Sequence, residues 1–132
     1  MGVRILVVDD HPLVRRGLKS VLDAHPDWEV IDEAVDGAEA VEKAKRLNPD
    51  VVVLDLSMPK LGGLEACRLI RKAAPLSQVL VVSQHDSAQM MREAKAAGAL
   101  GYVVKSNIAR DLVNAVETVN QRQTFFNSEA DR

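Results

Sequence analysis

The feature that most limits how this chain folds is the regular return of short, β-branched apolar runs with amphipathic stretches between them. Val3 to Val8, Val51 to Leu54 and Val79 to Val82 are almost continuous in Val, Ile and Leu, and each stops at a polar residue. Such runs suit strands covered on both faces. Trp28 to Ala34 and Leu100 to Val104 are weaker candidates that complete a set of five. The stretches between them have helical periodicity and punctuated ends. Asp36 with Glu39 reads as a capping box, and Asn48-Pro49 closes that helix because proline disfavours a helical conformation in the residue before it. Asp86 with Gln89 is expected to open another helix, which Gly98 ends. Ser106 is expected to cap the last helix, whose apolar face is Ile108, Leu112, Val116 and Val119.

Strand and helix thus alternate five times along the chain. That order predicts an α/β fold: a five-stranded parallel sheet, doubly wound, with right-handed crossovers that put helices on both faces. With aromatics at only 3%, its core must be built from Val, Leu, Ile and Ala. In sheets of this kind the working crevice lies beyond the carboxyl ends of the strands. The residues expected there are Asp9 and Asp10 after the first strand, Asp55 after the third, Ser83 after the fourth and Lys105 after the fifth.

Crowded carboxylates repel one another and need a cation or shared protons. An all-oxygen cluster favours a hard divalent ion, and magnesium fits because it binds through one or two carboxylates and takes phosphate oxygens for the rest. Lys105 is no metal ligand while protonated, but its ammonium suits a clamp on an incoming phosphoryl group. Asp55 then has a role beyond ligation, as a carboxylate nucleophile that forms an aspartyl phosphate. Any one of these acids alone would read as a helix cap or a solvated loop residue. Their coincidence at separate strand ends is what makes a site.

Composition excludes several alternatives. The formal charge of -2 argues against a nucleic-acid or membrane-surface domain and favours protein partners. No apolar run reaches the roughly 18 residues needed to span a bilayer, and the acidic pair follows the start too closely for a signal peptide, so a soluble cytoplasmic protein is expected. The single cysteine, Cys67, has no disulfide or zinc partner and reads as a core residue. His11, His25 and His85 lack the helical spacing of a zinc site, and His11 before Pro12 reads as a helix-start residue. Arg15, Arg16 and Lys19 form a basic cluster without interleaved aromatics, read as a solvated or partner-facing surface. Trp28, Phe125 and Phe126 read as packing residues, the last two equally as a docking point for another domain. From Gln121 to Arg132 the periodicity is lost, and the boundary is set at 1–122 for the domain and 123–132 for a tail or the start of a linker.

The segments ILVVDDHPLVRRGL, VVVLDLSMPKLGGLEA, VLVVSQHDS and AGALGYVVKS, in this order and spacing, closely resemble the receiver domains of two-component response regulators. The resemblance covers about residues 2–122 and implies a flavodoxin-like fold. DDHPLVRRGL is more similar to the subfamily in which a LuxR-like helix-turn-helix follows the receiver. By position, the resemblance implies that Asp10, Asp55 and the backbone carbonyl of Ser57 ligate Mg2+, for which Mn2+ substitutes, and that Asp9 assists through water. It makes Asp55 the phosphoacceptor, Lys105 the bridge to the phosphoryl group, Ser83 the switch hydroxyl and Tyr102 its aromatic follower. Met58-Pro59 and Gly62-Gly63 match the loop after the acceptor.

The implied partners are a sensor histidine kinase or phosphotransfer protein and a second copy on phosphorylation, with DNA bound only through a helix-turn-helix outside this chain. The domain is then regulatory and not an enzyme beyond self-phosphorylation and autodephosphorylation. A stand-alone receiver in a phosphorelay or protein-binding role is the alternative. Two departures bear on the lifetime of the phosphorylated form: Ser83 stands where threonine is frequent, and Gln84 where many receivers have a smaller residue.

Two rivals are weaker. A magnesium-dependent aspartyl-phosphate phosphatase of the haloacid-dehalogenase type places a second aspartate two residues after the nucleophile, where this chain has Ser57. A nucleotide or flavin binder wants a glycine-rich loop after the first strand, where DDHPLV has none.

Overall fold

The computed structural model describes residues 2–58 and 61–126. Its elements run β1 (Val3–Val8), α1 (Pro12–Asp23), β2 (Trp28–Ala34), α2 (Gly37–Leu47), β3 (Val51–Asp55), α3 (Gly63–Ala73), β4 (Gln78–Ser83), α4 (Ala88–Ala96), β5 (Gly101–Val104) and α5 (Ile108–Asn120). All strand pairs are parallel, in the order β2-β1-β3-β4-β5, so the chain winds outward in both directions from β1 and β3.

Strand alternation splits the core in two. Ile5, Val7, Val51, Val53 and Leu80 face α1 and α5, where they meet Leu18, Leu22, Leu112 and Val116. Leu6, Val8, Val52, Leu54, Val79 and Val81 face the other way, onto Ala40, Cys67, Ile70 and Met91 of α2, α3 and α4. The continuous apolar runs are therefore the central strands, while β2, with a half-exposed middle, lies on an edge. Burial pushes the Cys67 thiol up to about 11, in keeping with a core residue. Among the described residues no helix is long and apolar enough to cross a membrane.

Several helix ends follow the sequence. Asp36 caps α2 by accepting from the Glu39 N–H at 2.8 Å, while Glu39 reaches back to the Val35 N–H at 2.8 Å. Asn48 closes that helix in the left-handed region, and Gly98 does the turning after α4 with φ +105. Two caps fall one residue later than expected. Ser87, not Asp86, caps α4, accepting from the Met90 N–H at 3.2 Å. Ser106 lies inside a short 3₁₀ turn, Lys105–Asn107, and Asn107 holds the cap position of α5.

The segment after α5 also differs from its linker-like appearance. The Phe125 N–H donates to the Leu100 carbonyl at 2.9 Å and the Tyr102 N–H donates to the Phe125 carbonyl at 2.8 Å, a parallel bridge on the free edge of β5. Phe125 and Phe126 pack against opposite cores, and the Lys95 ammonium sits 4.5 Å over the Phe126 ring. An edge strand leaves donors and acceptors unpaired, and these residues supply partners. Residues 127–132 of the expected tail lie outside the described residues, as does Pro59.

Candidate phosphoacceptor site

Register brings the expected residues together. Val8 pairs with Leu54, so Asp9 and Asp55, the next residues on adjacent strands, emerge side by side. Ser83 pairs with Val104, which puts Ser83 and Lys105 at the same edge. Lys105 Nζ lies 3.1 Å from Asp9 Oδ2 and 3.3 Å from Asp55 Oδ1. Asp9 is fully buried, and its other oxygen accepts the His11 N–H at 2.9 Å. Its carboxylate is thus a fixed support inside the site.

Asp55 is only 2% exposed, and its Oδ2 has no hydrogen-bond partner among the described residues; neither has the buried Oδ1 of Asp10. An unpaired buried carboxylate oxygen is costly, so two in one pocket are a feature to be explained. Burial first, and the neighbouring Asp9 charge second, hold the Asp55 carboxyl above its ordinary value, while Lys105 and the Ser57 N–H act against this. Burial works to lower Lys105, yet the charges and hydrogen bonds of Asp55 and Asp9 outweigh it and hold the ammonium above its ordinary value. The pocket therefore carries an excess of negative charge that one lysine does not balance.

Oxygen atoms from three acids and a nitrogen of His11 lie within 4.8 Å of one another, a group able to hold a metal ion. The orphaned oxygens of Asp10 and Asp55 and the hard, anionic donor set fit a divalent cation such as Mg2+. His11 is the N-cap residue of α1, as a helix-start residue should be, but its ring also turns to the cluster. Nδ1 lies 3.0 Å from Asp10 Oδ1 and 3.2 Å from Asp9 Oδ1. Helix spacing does not reveal this contact; direct adjacency to Asp9-Asp10 is its signal in the sequence.

Ser83 is buried, and its Oγ accepts the His85 N–H at 3.1 Å. Tyr102 belongs to the core on the α4 side of the sheet. Its ring is fully buried, and its hydroxyl donates to the His85 carbonyl at 2.7 Å. Burial holds the phenol above its ordinary value, with a Ser83 hydrogen bond opposing and the Asp86 charge assisting. Glycine at 63 is obligatory: a Cβ there would lie 2.5 Å from Leu56 Cα, because α3 starts against the backbone that follows Asp55.

The family model of the response regulator receiver domain matches residues 5–117. This chain belongs to the response-regulator receiver family. The receiver is 40% identical to the transcriptional regulatory protein DegU of Brevibacillus brevis over 94% of this chain and 52% of that protein. It is 37% identical to the transcriptional regulatory protein MctR of Rhizobium johnstonii over 96% of this chain and 59% of that one. It thus spans little more than half the length of these curated relatives. A solved two-component response regulator of the LuxR family from an Aurantimonas species superimposes with a TM-score of 0.94 at 35% identity, covering 99% of the receiver and 94% of that chain. A protein-glutamate methylesterase of Aliivibrio fischeri is 42% identical, but the match covers only 33% of it. Receivers of this type are regulatory parts joined to different outputs, and this one is most like those of LuxR-family transcription regulators.

Proposed function

We propose that Asp55 is the phosphoacceptor of this receiver, that Asp10, Asp55 and the Ser57 carbonyl hold Mg2+ or Mn2+ with Asp9 in support, and that Lys105 and Ser83 bind the phosphoryl oxygens. The observation that carries this reading is the Asp55 carboxylate itself: buried, with one oxygen beside an ammonium and the other unpaired. In transfer from a phosphohistidine, a new phosphorus–oxygen bond forms to Asp55, the phosphorus–nitrogen bond breaks, and the departing imidazole takes up a proton. The bound cation supplies charge neutralisation for the phosphoryl oxygens. Lys105 adds its charge from the Asp9 side, and the Ser83 hydroxyl turns to accept or donate as the new group requires.

On this reading the donor is a sensor histidine kinase or phosphotransfer protein, the setting is the cytoplasm, and the domain is no enzyme beyond its own phosphorylation and dephosphorylation. Likeness to DegU and MctR supports a transcriptional output through DNA-binding residues outside this chain, with a second receiver as partner once phosphorylated. Incubation with a small phosphodonor and Mg2+ tests the site. One stable, alkali-labile phosphoryl group per chain is expected, absent in Asp55→Asn; many turnovers of the donor would point to a phosphatase.

Ser83 and Tyr102 form the proposed switch. Tyr102 lies inward here, tied to the β4–α4 loop through the His85 carbonyl, so its position and that of the loop change together. Ser83→Ala is expected to accept phosphate but not transmit it. NMR with a beryllofluoride phosphate mimic should show shifts around Tyr102 in the wild type that are missing in Ser83→Ala; identical shifts in both would sink the coupling.

A further inference from the structure

In the sequence Arg15 stands with Arg16 and Lys19 as a surface cluster, and the structure separates it from them. Arg16 and Lys19 are exposed, whereas the Arg15 side chain is 18% exposed and inserted between α1, β2 and the loop after β1. Its Nε donates to Glu33 Oε1 at 3.0 Å, and its guanidinium NH1 donates to the backbone carbonyl of Asp9 at 2.9 Å. That carbonyl belongs to the peptide unit joining Asp9 to Asp10. A peptide unit is planar, so holding its oxygen fixes where the Asp10 N and Cα lie, the base from which its side chain reaches the pocket. The other end of the same residue is also held, since the Asp9 N–H donates to the Ala34 carbonyl at 3.1 Å. The Asp10 side chain is only loosely held: it is 29% exposed, its buried Oδ1 has no hydrogen-bond partner among the described residues, and its close contact is the ring of His11 at 3.0 Å, itself 57% exposed. A mostly exposed imidazole is a weak tether, so the backbone is left to aim that oxygen into the pocket.

We propose that Arg15, braced by Glu33, is the positioning residue for Asp10, and that it sets the cation affinity of the pocket by fixing the Asp9–Asp10 peptide. The inference rests on the reading of Asp10 as a metal ligand. It has an unusual consequence of sign. Arg15 is a cation near a cation site, so by charge alone its removal would tighten Mg2+ binding. By positioning, removal weakens binding, because the ligand oxygen is no longer pre-organised. Lysine in its place keeps the charge but lacks the planar fork that spans a carboxylate and a carbonyl together.

The experiment is calorimetric titration of the chain with MgCl2, for the wild type, Arg15→Lys, Arg15→Met and Asp10→Ala, with melting curves in metal-free buffer. Both Arg15 variants are expected to bind Mg2+ about tenfold more weakly while melting close to the wild type. In metal-free NMR spectra the Asp10 amide should shift in both. Wild-type or tighter affinity in either variant, with Asp10→Ala still losing the ion, would overturn the positioning role alone. Undiminished affinity in Asp10→Ala would instead remove the ligand assignment, and this inference with it. Should Arg15→Met fail to fold, Arg15→Lys decides the question, since charge alone predicts no change for it.

Discussion

The two ends of the sheet hold similar polar residues in opposite conditions. At the amino end, Asp50 accepts the Arg4 N–H at 2.8 Å, and the Ser77 hydroxyl donates to the Pro49 carbonyl at 2.6 Å. The Arg4 guanidinium donates to the carbonyls of Leu47 and Asn48, both at 2.9 Å, which closes the otherwise open end of α2. At the carboxyl end, Asp9, Asp10 and Asp55 crowd together with one ammonium and the His11 ring, and among the described residues two of their oxygens have no hydrogen-bond partner. The first arrangement ties strands to loops. The second leaves binding capacity unspent, which costs stability and, on the function proposed above, keeps the pocket ready for a cation and a phosphoryl group. Acids of the same type are thus tied into the structure at one end and left open at the other, and hydrogen-bond satisfaction tells them apart.

The largest effect that would break this contrast lies at the tied end. Ser77→Ala leaves a buried carbonyl without its partner and should cost about 1–3 kcal/mol of stability, read by urea denaturation, with phosphorylation of the folded protein unchanged. Asp55→Asn, at the other end, should leave the metal-free protein at least as stable as the wild type, because it removes a buried charge that repels Asp9. Equal losses in the two variants would erase the distinction.

A pH series sharpens it. Asp55 holds its proton more tightly folded than unfolded, so the folded state binds more protons and stability falls as pH rises. For the metal-free wild type this loss begins near the ordinary carboxylate range, about pH 4, and is complete once pH passes the raised value of Asp55. Asp55→Asn should show less of that fall, and Mg2+ should restore stability to the wild type above it. A wild type and Asp55→Asn with parallel pH profiles would mean that Asp55 carries no such strain. The smallest effect belongs to Arg4→Ala, whose contacts are exposed: a loss of about 0.5–1 kcal/mol is expected from denaturation, with Mg2+ affinity unaltered.

Much of this molecule is legible before folding. The β-branched runs place β1, β3 and β4 to within one residue at their ends, since strands buried on both faces are apolar nearly throughout, exposed Arg4 near the start of β1 being an exception. The same runs put Asp9, Asp55 and Ser83 at strand ends, the weaker Leu100–Val104 run adds Lys105, and parallel order then brings those ends to one edge. The α2 capping box is equally local, being written in Asp36 and Glu39.

Other features depend on partners far along the chain and have no local signature. Arg15 looks like its neighbours Arg16 and Lys19 until Glu33 on β2 and the Asp9 carbonyl give it somewhere to go. Phe125 lies in a stretch without periodicity, and only the unpaired edge of β5 turns it into a bridge. Ser87 displaces Asp86, and Asn107 displaces Ser106, because helix starts yield to where the preceding strand delivers the chain. Sequence by itself determined the alternation of elements and which chemical groups stand at the strand ends. The tertiary structure decided which of those groups are satisfied and which are left open, because hydrogen-bond satisfaction is a property of contacts between segments and not of any one of them.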